Sequence, residues 1–224
     1  SGYNPRALPL DAQIVSQWNE TINGATVKFI KFYFTSEVWQ GSTIRVLAVY
    51  AAPQGFGPRP SVLHIHGGGQ TYSLDWARYW ASRYYSCMTY DFAGSINGRT
   101  EYTLYGSLYF DMPAGPPQPA AMNTITNANL QNVTPDAKSC SWYHWTLIGL
   151  RALTFLEQQP DVAPNNIGVF GISVGGTLTW MVTGADGYLG LNRVKAAVPI
   201  YGNGWNFYYG WGAAAGYNTP DWDP

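Results

Sequence analysis

The chain has 224 residues, enough for one domain with a large hydrophobic core and too few to predict two. Hydrophobic residues make up 46% of it and charged residues only 11%, with a formal net charge of −1. A nearly neutral chain gives no electrostatic basis for binding nucleic acid or an anionic membrane, and no apolar segment approaches the ~20 residues that cross a bilayer. Composition therefore favours a globular protein and predicts neither a nucleic-acid partner nor a membrane span.

Strands are predicted early in the chain. After a mixed, polar N-terminal arm at residues 1–24, runs rich in β-branched and aromatic residues predict strands at 25–35 and 43–51, joined by a hairpin turn at 39–42. We expect this pair to be antiparallel edge strands.

Strands and helices then alternate, which is typical of a parallel sheet with helices on both faces. Strands are predicted at 61–66, 84–92, 167–170 and 194–201, and helices at 75–83, 141–158 and 177–182. The helix at 75–83 has Ser73 or Asp75 as its candidate N-cap. We therefore predict one α/β domain over residues 25–224.

A long loop is predicted at residues 93–138. It contains a proline-rich run, an Asn/Thr-rich run and hardly any charge. It leaves the carboxyl end of a predicted strand, the edge of an open α/β sheet where ligands bind. Loops of this length are usually functional or disordered. Both a substrate-side lid and an ordered packing arm fit the pattern.

A Gly-x-Ser-x-Gly pattern joins the strand predicted at 167–170 to the helix after it. Gly171 and Gly175 lack side chains where the backbone must double back, and such a sharp turn lifts the Ser173 hydroxyl above the end of the sheet. The pattern predicts a nucleophile elbow with Ser173 as the nucleophile. Taken alone, it also fits a glycine-rich turn with an incidental serine.

A second glycine-rich run, His66-Gly67-Gly68-Gly69, follows the strand predicted at 61–66. Acyl transfer through a serine creates an oxyanion, which needs fixed N–H donors. These come from the residue after the nucleophile and from a glycine-rich loop after an earlier strand. We interpret His66 as an orienter of this loop and His64 as a satisfied core histidine.

From about Ala25 to its end the chain resembles the α/β-hydrolases, most closely the acetyl xylan esterase and dienelactone hydrolase-like group, near the prolyl oligopeptidase-type catalytic domains. The resemblance rests on residues 64–70, 89–92, 141–145, 171–176 and 198–202. It implies a three-layer sandwich with a mostly parallel sheet, and Ser173 as nucleophile. It also implies an oxyanion hole formed by the N–H groups of Gly68, Gly69 and Val174. The implied substrates are carboxylic esters, with acetylated sugars as candidates.

The triad of this fold runs Ser, then Asp or Glu, then His along the chain. The histidines of this sequence are His64, His66 and His144, and all of them precede Ser173. We therefore expect a C-terminally incomplete fold without the triad acid and base. Three explanations stay open: a piece of a longer protein, a non-catalytic relative, or an unusual base. His144 is the candidate for such a base, and a packed helix-start histidine is the alternative.

Two functions from different classes follow. The first is a serine-dependent carboxylic ester hydrolase, a secreted carbohydrate esterase, of which this chain alone is expected to be nearly inactive. The second is a structural or binding module, in which a second chain or a second copy completes the sheet beside the strand at 194–201, whose outer edge we expect to be unpaired. A peptidase of the prolyl oligopeptidase type shares the elbow, but the His-Gly-Gly-Gly loop disfavours it.

The remaining signals concern modification, cysteines and cofactors. Sequons at Asn19 and Asn132 are candidate glycosylation sites and agree with secretion. Cys87 and Cys140 are too few for a disulfide framework, and we interpret Cys87 as a small buried hydrophobe. The sequence has no metal-ligand spacing and no nucleotide-binding loop, so we predict no metal and no cofactor.

Overall fold

The computed structural model describes residues 3–55, 57–94, 99–105, 138 and 141–202. Within these residues, seven strands form one sheet with three helices packed on it. The strands are β1 (Gln13–Ile22), β2 (Ala25–Trp39), β3 (Ser42–Pro53), β4 (Arg59–Ile65), β5 (Ser86–Tyr90), β6 (Val162–Ile172) and β7 (Val194–Ile200). The helices are α1 (Leu74–Ala81), α2 (Ser141–Glu157) and α3 (Val174–Tyr188).

The sheet is mixed, with the strand order β1-β2-β3-β5-β4-β6-β7. β1, β2 and β3 pair in antiparallel fashion, and β3 also runs antiparallel to β5. β5, β4, β6 and β7 run parallel to one another. The parallel half of the sheet was predicted, whereas the antiparallel half is larger than the expected edge pair. The carboxyl ends of the parallel strands meet at one edge, where β4 leads into the glycine-rich run and β6 into the elbow.

Residues 13–22 form a strand, although the sequence analysis assigned them to an irregular N-terminal arm. β1 pairs along its length with β2 through a hairpin whose turn residues, Asn23 and Gly24, both have positive φ angles (50° and 79°). Such angles match the twist of a two-residue hairpin. Trp18 stacks on Phe29 with 5.2 Å between the ring centroids, which fixes the register. β2 and β3 are therefore interior strands, and the expectation that they form the edge is wrong.

Apolar side chains of the central strands alternate between the two faces of the sheet, because successive residues of a strand point to opposite sides. On one face, Val49 and Cys87 pack near Ala77 of α1. On the other face, Tyr50 and Met88 belong to a second cluster that contains the buried residues of α2 and α3. This helix–sheet–helix arrangement is the three-layer sandwich predicted from the sequence.

The two helices on the second face pack closely at one glycine. A Cβ added at Gly149 of α2 would lie 2.3 Å from Cγ2 of Val182 in α3. Glycine at this position lets α2 and α3 approach, so that α3 lies flat over β6 and β7.

Two smaller predictions concern the environment of the chain. Cys87 is fully buried, and burial raises the pKa of its thiol, in agreement with its interpretation as a small hydrophobe. Cys140 lies outside the described residues. None of the described helices combines the length and the apolar character needed to cross a bilayer.

Candidate active site

Ser173 lies at the junction of β6 and α3, at the carboxyl edge of the sheet. Its backbone angles are φ 58° and ψ −119°, a combination that costs a residue with a side chain roughly 1–3 kcal/mol. The Ser173 N–H donates to the Ile200 carbonyl of β7 (2.8 Å), and the Ser173 carbonyl accepts from the Thr177 N–H (3.0 Å). The sharp strand-to-helix turn predicted at this position is therefore present and held on both sides.

The two glycines of the motif are required by close backbone approach. A Cβ added at Gly171 would lie 2.2 Å from the Gly175 carbonyl oxygen, and one added at Gly175 would lie 2.1 Å from the Ile65 carbonyl oxygen. Both distances are far below ordinary contact, so any side chain would push the backbone apart. Glycine allows the first turn of α3 to pack against the end of β4, where the second glycine-rich run begins.

Residues 66–70, here called the glycine loop, form a tight turn after β4. The Gly67 carbonyl lies 2.7 Å from His66 Nδ1 and accepts from the Gln70 N–H at 3.3 Å. The Gly67 N–H in turn donates to Gln70 Oε1 at 3.0 Å. Gly69 has φ 72°, as the third residue of a type II turn requires. Because a peptide unit is planar and trans, the fixed Gly67 carbonyl sets the opposite direction of the Gly68 N–H.

His66 is buried and orients this loop. The Phe92 N–H donates to His66 Nε2 at 3.2 Å, so Nε2 is the acceptor and Nδ1 carries the proton that is donated to Gly67. The imidazole also stacks on the Phe92 ring, with 4.0 Å between centroids and 3° between planes. These contacts give His66 the orienting role that the sequence predicts.

Among the N–H groups near the elbow, those of Gly68, Gly69 and Val174 have no acceptor in the described residues. Val174 is the first residue of α3, where a backbone N–H has no partner within the helix and forms part of the positive end of the helix dipole. Gly68 is exposed and Gly69 half-buried. They are the three oxyanion donors implied by the resemblance, and that role stays a proposal.

His144 is fully buried near the start of α2. Its Nδ1 lies 2.7 Å from Glu37 Oε1, and its Nε2 lies 2.6 Å from the Lys138 carbonyl oxygen. Both ring nitrogens therefore face acceptors already, and taking a proton from Ser173 would break one of these bonds. The contacts favour the packed helix-start histidine over the unusual base.

His64 is a core histidine, as predicted. Its Nδ1 lies 2.9 Å from Thr89 Oγ1, and its ring packs against Phe170 with 4.9 Å between centroids. Burial, helped by the neighbouring His66, lowers the pKa of His64 to about 3. The side chain is therefore neutral at physiological pH.

Sequence reasoning missed Asp91 as the anchor of the chain after β5. Its fully buried carboxylate accepts from the N–H groups of Ala93 (3.2 Å), Gly94 (3.2 Å) and Thr103 (2.7 Å). The Thr103 hydroxyl donates back to the Asp91 carbonyl. Residues 99–105 are therefore packed on the sheet, while most of the long loop predicted after β5 lies outside the described residues. An Asp directly after a strand, followed three residues later by a glycine, is the signal that could have indicated such a turn.

The other candidate site residues are less informative. Asn19 is exposed on β1, where a glycan has room, and its modification stays a prediction. Asn132 lies outside the described residues. In the part of the chain that the structure describes, no group of three or more His, Cys, Asp or Glu side chains could hold a metal ion.

A family model described as BAAT / acyl-CoA thioester hydrolase C terminal matches residues 150–209, a stretch that contains the elbow. This is about a quarter of the chain. No curated protein matches the sequence.

Solved structures resemble the chain over most of its length. An acetyl xylan esterase from Paenibacillus sp. R4 has a TM-score of 0.64 at 20% sequence identity, covering 88% of this chain and 55% of that one. Acetyl xylan esterase 1 from Thermoanaerobacterium sp. JW/SL YS485 has a TM-score of 0.59 at 18% identity, covering 84% and 51%. The chain thus spans about half the length of these proteins, which fits the incomplete fold predicted from the sequence. At this identity the likeness concerns the fold. With its sheet order and its strand–elbow–helix unit, the chain has the α/β-hydrolase fold.

Proposed function

We propose that Ser173 is the nucleophile of a serine carboxylic ester hydrolase that acts on acylated carbohydrates. The observation that carries this proposal is the backbone of Ser173, held at φ 58° and ψ −119° between β6 and α3. The serine side chain makes no capping hydrogen bond to α3, so it gives the helix no stability in return for the strain. Strained backbone conformations cluster at active sites.

The chemistry that this geometry supports is acyl transfer. The Ser173 hydroxyl oxygen attacks the ester carbonyl carbon, its proton passes to a base, and negative charge develops on the carbonyl oxygen. The N–H groups of Val174, Gly68 and Gly69 are the proposed donors to that oxygen, and loss of one such donor costs roughly 2.7–4 kcal/mol in the barrier. The alcohol then leaves, and water releases the acyl group from the serine.

None of the three histidines of the chain is proposed as the base. His66 and His144 have both ring nitrogens engaged elsewhere, and His64 is a neutral core residue. Without its base, a serine hydrolase retains only about 10³–10⁴-fold catalysis over water from oxyanion and binding contributions. We therefore expect the 224-residue chain to turn over esters slowly.

The carbohydrate part of the proposal has two supports. The two solved structures above are both named acetyl xylan esterases. A cleft of about 560 Å³ also lies directly beside the elbow, with Ile172 in its wall. Its other lining residues mix aromatic rings with polar groups, as sugar-binding surfaces do; they include Gln70, Thr71, Tyr72, Ser73 and Trp76. Secretion is proposed on the same basis, together with the exposed sequon at Asn19.

A fluorophosphonate probe tests the proposal, because the oxyanion donors stabilise its phosphoryl oxygen while the serine oxygen attacks phosphorus and fluoride leaves. The reaction is run at alkaline pH, where hydroxide takes the serine proton in place of the absent base. We expect modification of Ser173 to be faster than that of any other serine, located by peptide mass spectrometry, and absent in Ser173→Ala. His144→Gln should retain it if His144 is structural. Failure of the probe to select Ser173 would overturn the assignment. Turnover of p-nitrophenyl acetate at an ordinary esterase rate, about 10 per second, would instead contradict the missing base.

A non-catalytic binding or assembly module is the second candidate. One observation favours it: among the described strands, β7 pairs only with β6, and Val198 on β7 is 53% exposed. An apolar strand with a free edge can pair with another chain. The probe experiment separates the two functions, since a module has no reason to keep Ser173 reactive.

A further inference from the structure

We propose that Arg99 is a positioning residue for the glycine loop, an inference that rests on the proposed function. The Arg99 guanidinium donates to two successive carbonyls of the loop, from Nη1 to Gln70 at 2.9 Å and from Nη2 to Gly69 at 3.2 Å. Hydrogen bonds from a charged donor are roughly twice as strong as neutral ones. The planar fork of arginine can hold two acceptors at once, which the single ammonium of lysine does less well.

The backbone that carries Arg99 is itself anchored to the sheet. Four residues after Arg99, the Thr103 N–H donates to the buried Asp91 carboxylate at 2.7 Å. Between them, Glu101 forms an ion pair with Lys31 of β2, with 2.5 Å between Oε2 and Nζ. Arg99 therefore reaches the glycine loop from a fixed position, and the two segments are joined through its side chain.

The bonds to Arg99 complete the restraint on the proposed oxyanion donors. The peptide unit that contains the Gly68 N–H is fixed from the Gly67 side, where the carbonyl accepts from His66 and Gln70. The peptide units after Gly69 and Gln70 are fixed by Arg99. The unit that contains the Gly69 N–H lies between these restrained planes, so its direction is restricted from both ends. Truncation of Arg99 removes the restraint on one of these two sides.

Arg99 makes this contact without taking part in the reaction itself. Its described hydrogen bonds go to main-chain carbonyls of the loop, on the side of the peptide units opposite to their N–H groups. Displacement of a catalytic group by about 1 Å can cost up to about 10²-fold in rate. The expected defect in Arg99→Ala is therefore a slower reaction of Ser173 in a folded protein.

The test compares Arg99→Ala and Arg99→Lys with a matched arginine truncation, Arg83→Ala. Among the described residues, the Arg83 side chain bonds near the end of α1, to the Tyr79 carbonyl and the Ser82 hydroxyl, and lies over the Tyr79 ring. The first measurement is amide hydrogen exchange at Gly67 and Gln70, whose N–H groups are bonded within the loop. The second is the rate of fluorophosphonate modification of Ser173, with the thermal midpoint as a check on folding.

We expect Arg99→Ala to accelerate exchange at both amides and to slow Ser173 modification, each by about tenfold or more. Arg99→Lys should recover part of both effects, because an ammonium still reaches one carbonyl, and Arg83→Ala should match the wild type. The inference is overturned if the amide exchange rates and the rate of Ser173 modification in Arg99→Ala both lie within about twofold of those in Arg83→Ala. If wild-type Ser173 is not modified selectively, the proposed function fails, and the exchange measurement alone decides whether Arg99 holds the loop.

Discussion

The substitution Gly175→Ala tests whether the elbow depends on close packing of α3 against β4. A Cβ at this position would lie 2.1 Å from the Ile65 carbonyl oxygen and 2.5 Å from that of His66. Both atoms belong to the backbone at the end of a central strand, which cannot rotate away as a side chain can. The added methyl group must therefore displace either the strand end or the first turn of the helix.

Gly184→Ala is the matched control, because it lies in the same helix and an added Cβ meets nothing within 4 Å. Removal of a glycine from a helix interior should stabilise the protein by about 0.5–1 kcal/mol. Overpacking costs about 1–3 kcal/mol and sometimes more, and a clash this deep with backbone belongs at the upper end. After the propensity gain, we expect Gly175→Ala to lose about 2–3 kcal/mol.

Thermal unfolding followed by tryptophan fluorescence measures both variants. At about 2–4 °C per kcal/mol for a domain of this size, Gly175→Ala should melt about 4–12 °C below the wild type and Gly184→Ala about 1–4 °C above it. Fluorophosphonate modification of Ser173 should be lost in the first variant and kept in the second. Equal or higher stability of Gly175→Ala would refute the described packing of the elbow.

Two further predictions concern buried titratable groups. The folded pKa of His64 (about 3) lies below the value of 6.5 expected in the unfolded chain, so the unfolded state binds the proton first, and stability should fall as the pH drops from about 6.5 towards 3. His64→Asn should reduce this loss of unfolding free energy, by up to about 1.4 kcal/mol per pH unit. Urea unfolding at pH 7, 5 and 4 measures the effect. An unchanged dependence of the unfolding free energy on pH would contradict the assignment of His64 as a buried, neutral histidine. Asp91→Asn weakens charged hydrogen bonds to three N–H groups and should cost about 1.5–3 kcal/mol in urea unfolding at pH 7. A cost below about 0.5 kcal/mol would mean that Asp91 does not anchor residues 99–105.

The parts of the fold that local sequence encodes were predictable. The elbow and the glycine loop depend on glycines at fixed spacing, and the steric reason for Gly171 and Gly175 could be stated from the sequence. Ser73 as the N-cap of α1 was also among the two candidates, and its side chain accepts from the Trp76 N–H at 3.2 Å. β1 was missed although Asn23-Gly24 is a strong hairpin signal, because the strand before it is polar and exposed on its outer side.

The parts of the site that depend on tertiary contacts were not predictable. His144 is engaged by Glu37, 107 residues earlier in the chain, through a register shift in β2 that no local pattern marks. Arg99 meets the glycine loop across 29 and 30 residues of sequence. In each case the residue type fits several roles, and only the partner brought by the fold decides among them.

The hydrogen bond from Ser173 to Ile200 has a consequence for the order of folding. It joins the strained serine to β7, the last strand in sequence of those described, whereas β6 and α3 precede it. During synthesis the N-terminal elements are available first. The hydrogen bond that holds Ser173 on its β7 side can therefore form only once β7 has paired with β6. Until that pairing is complete, the nascent chain lacks this restraint on Ser173. A fully restrained Ser173 therefore indicates that β6 and β7 have paired.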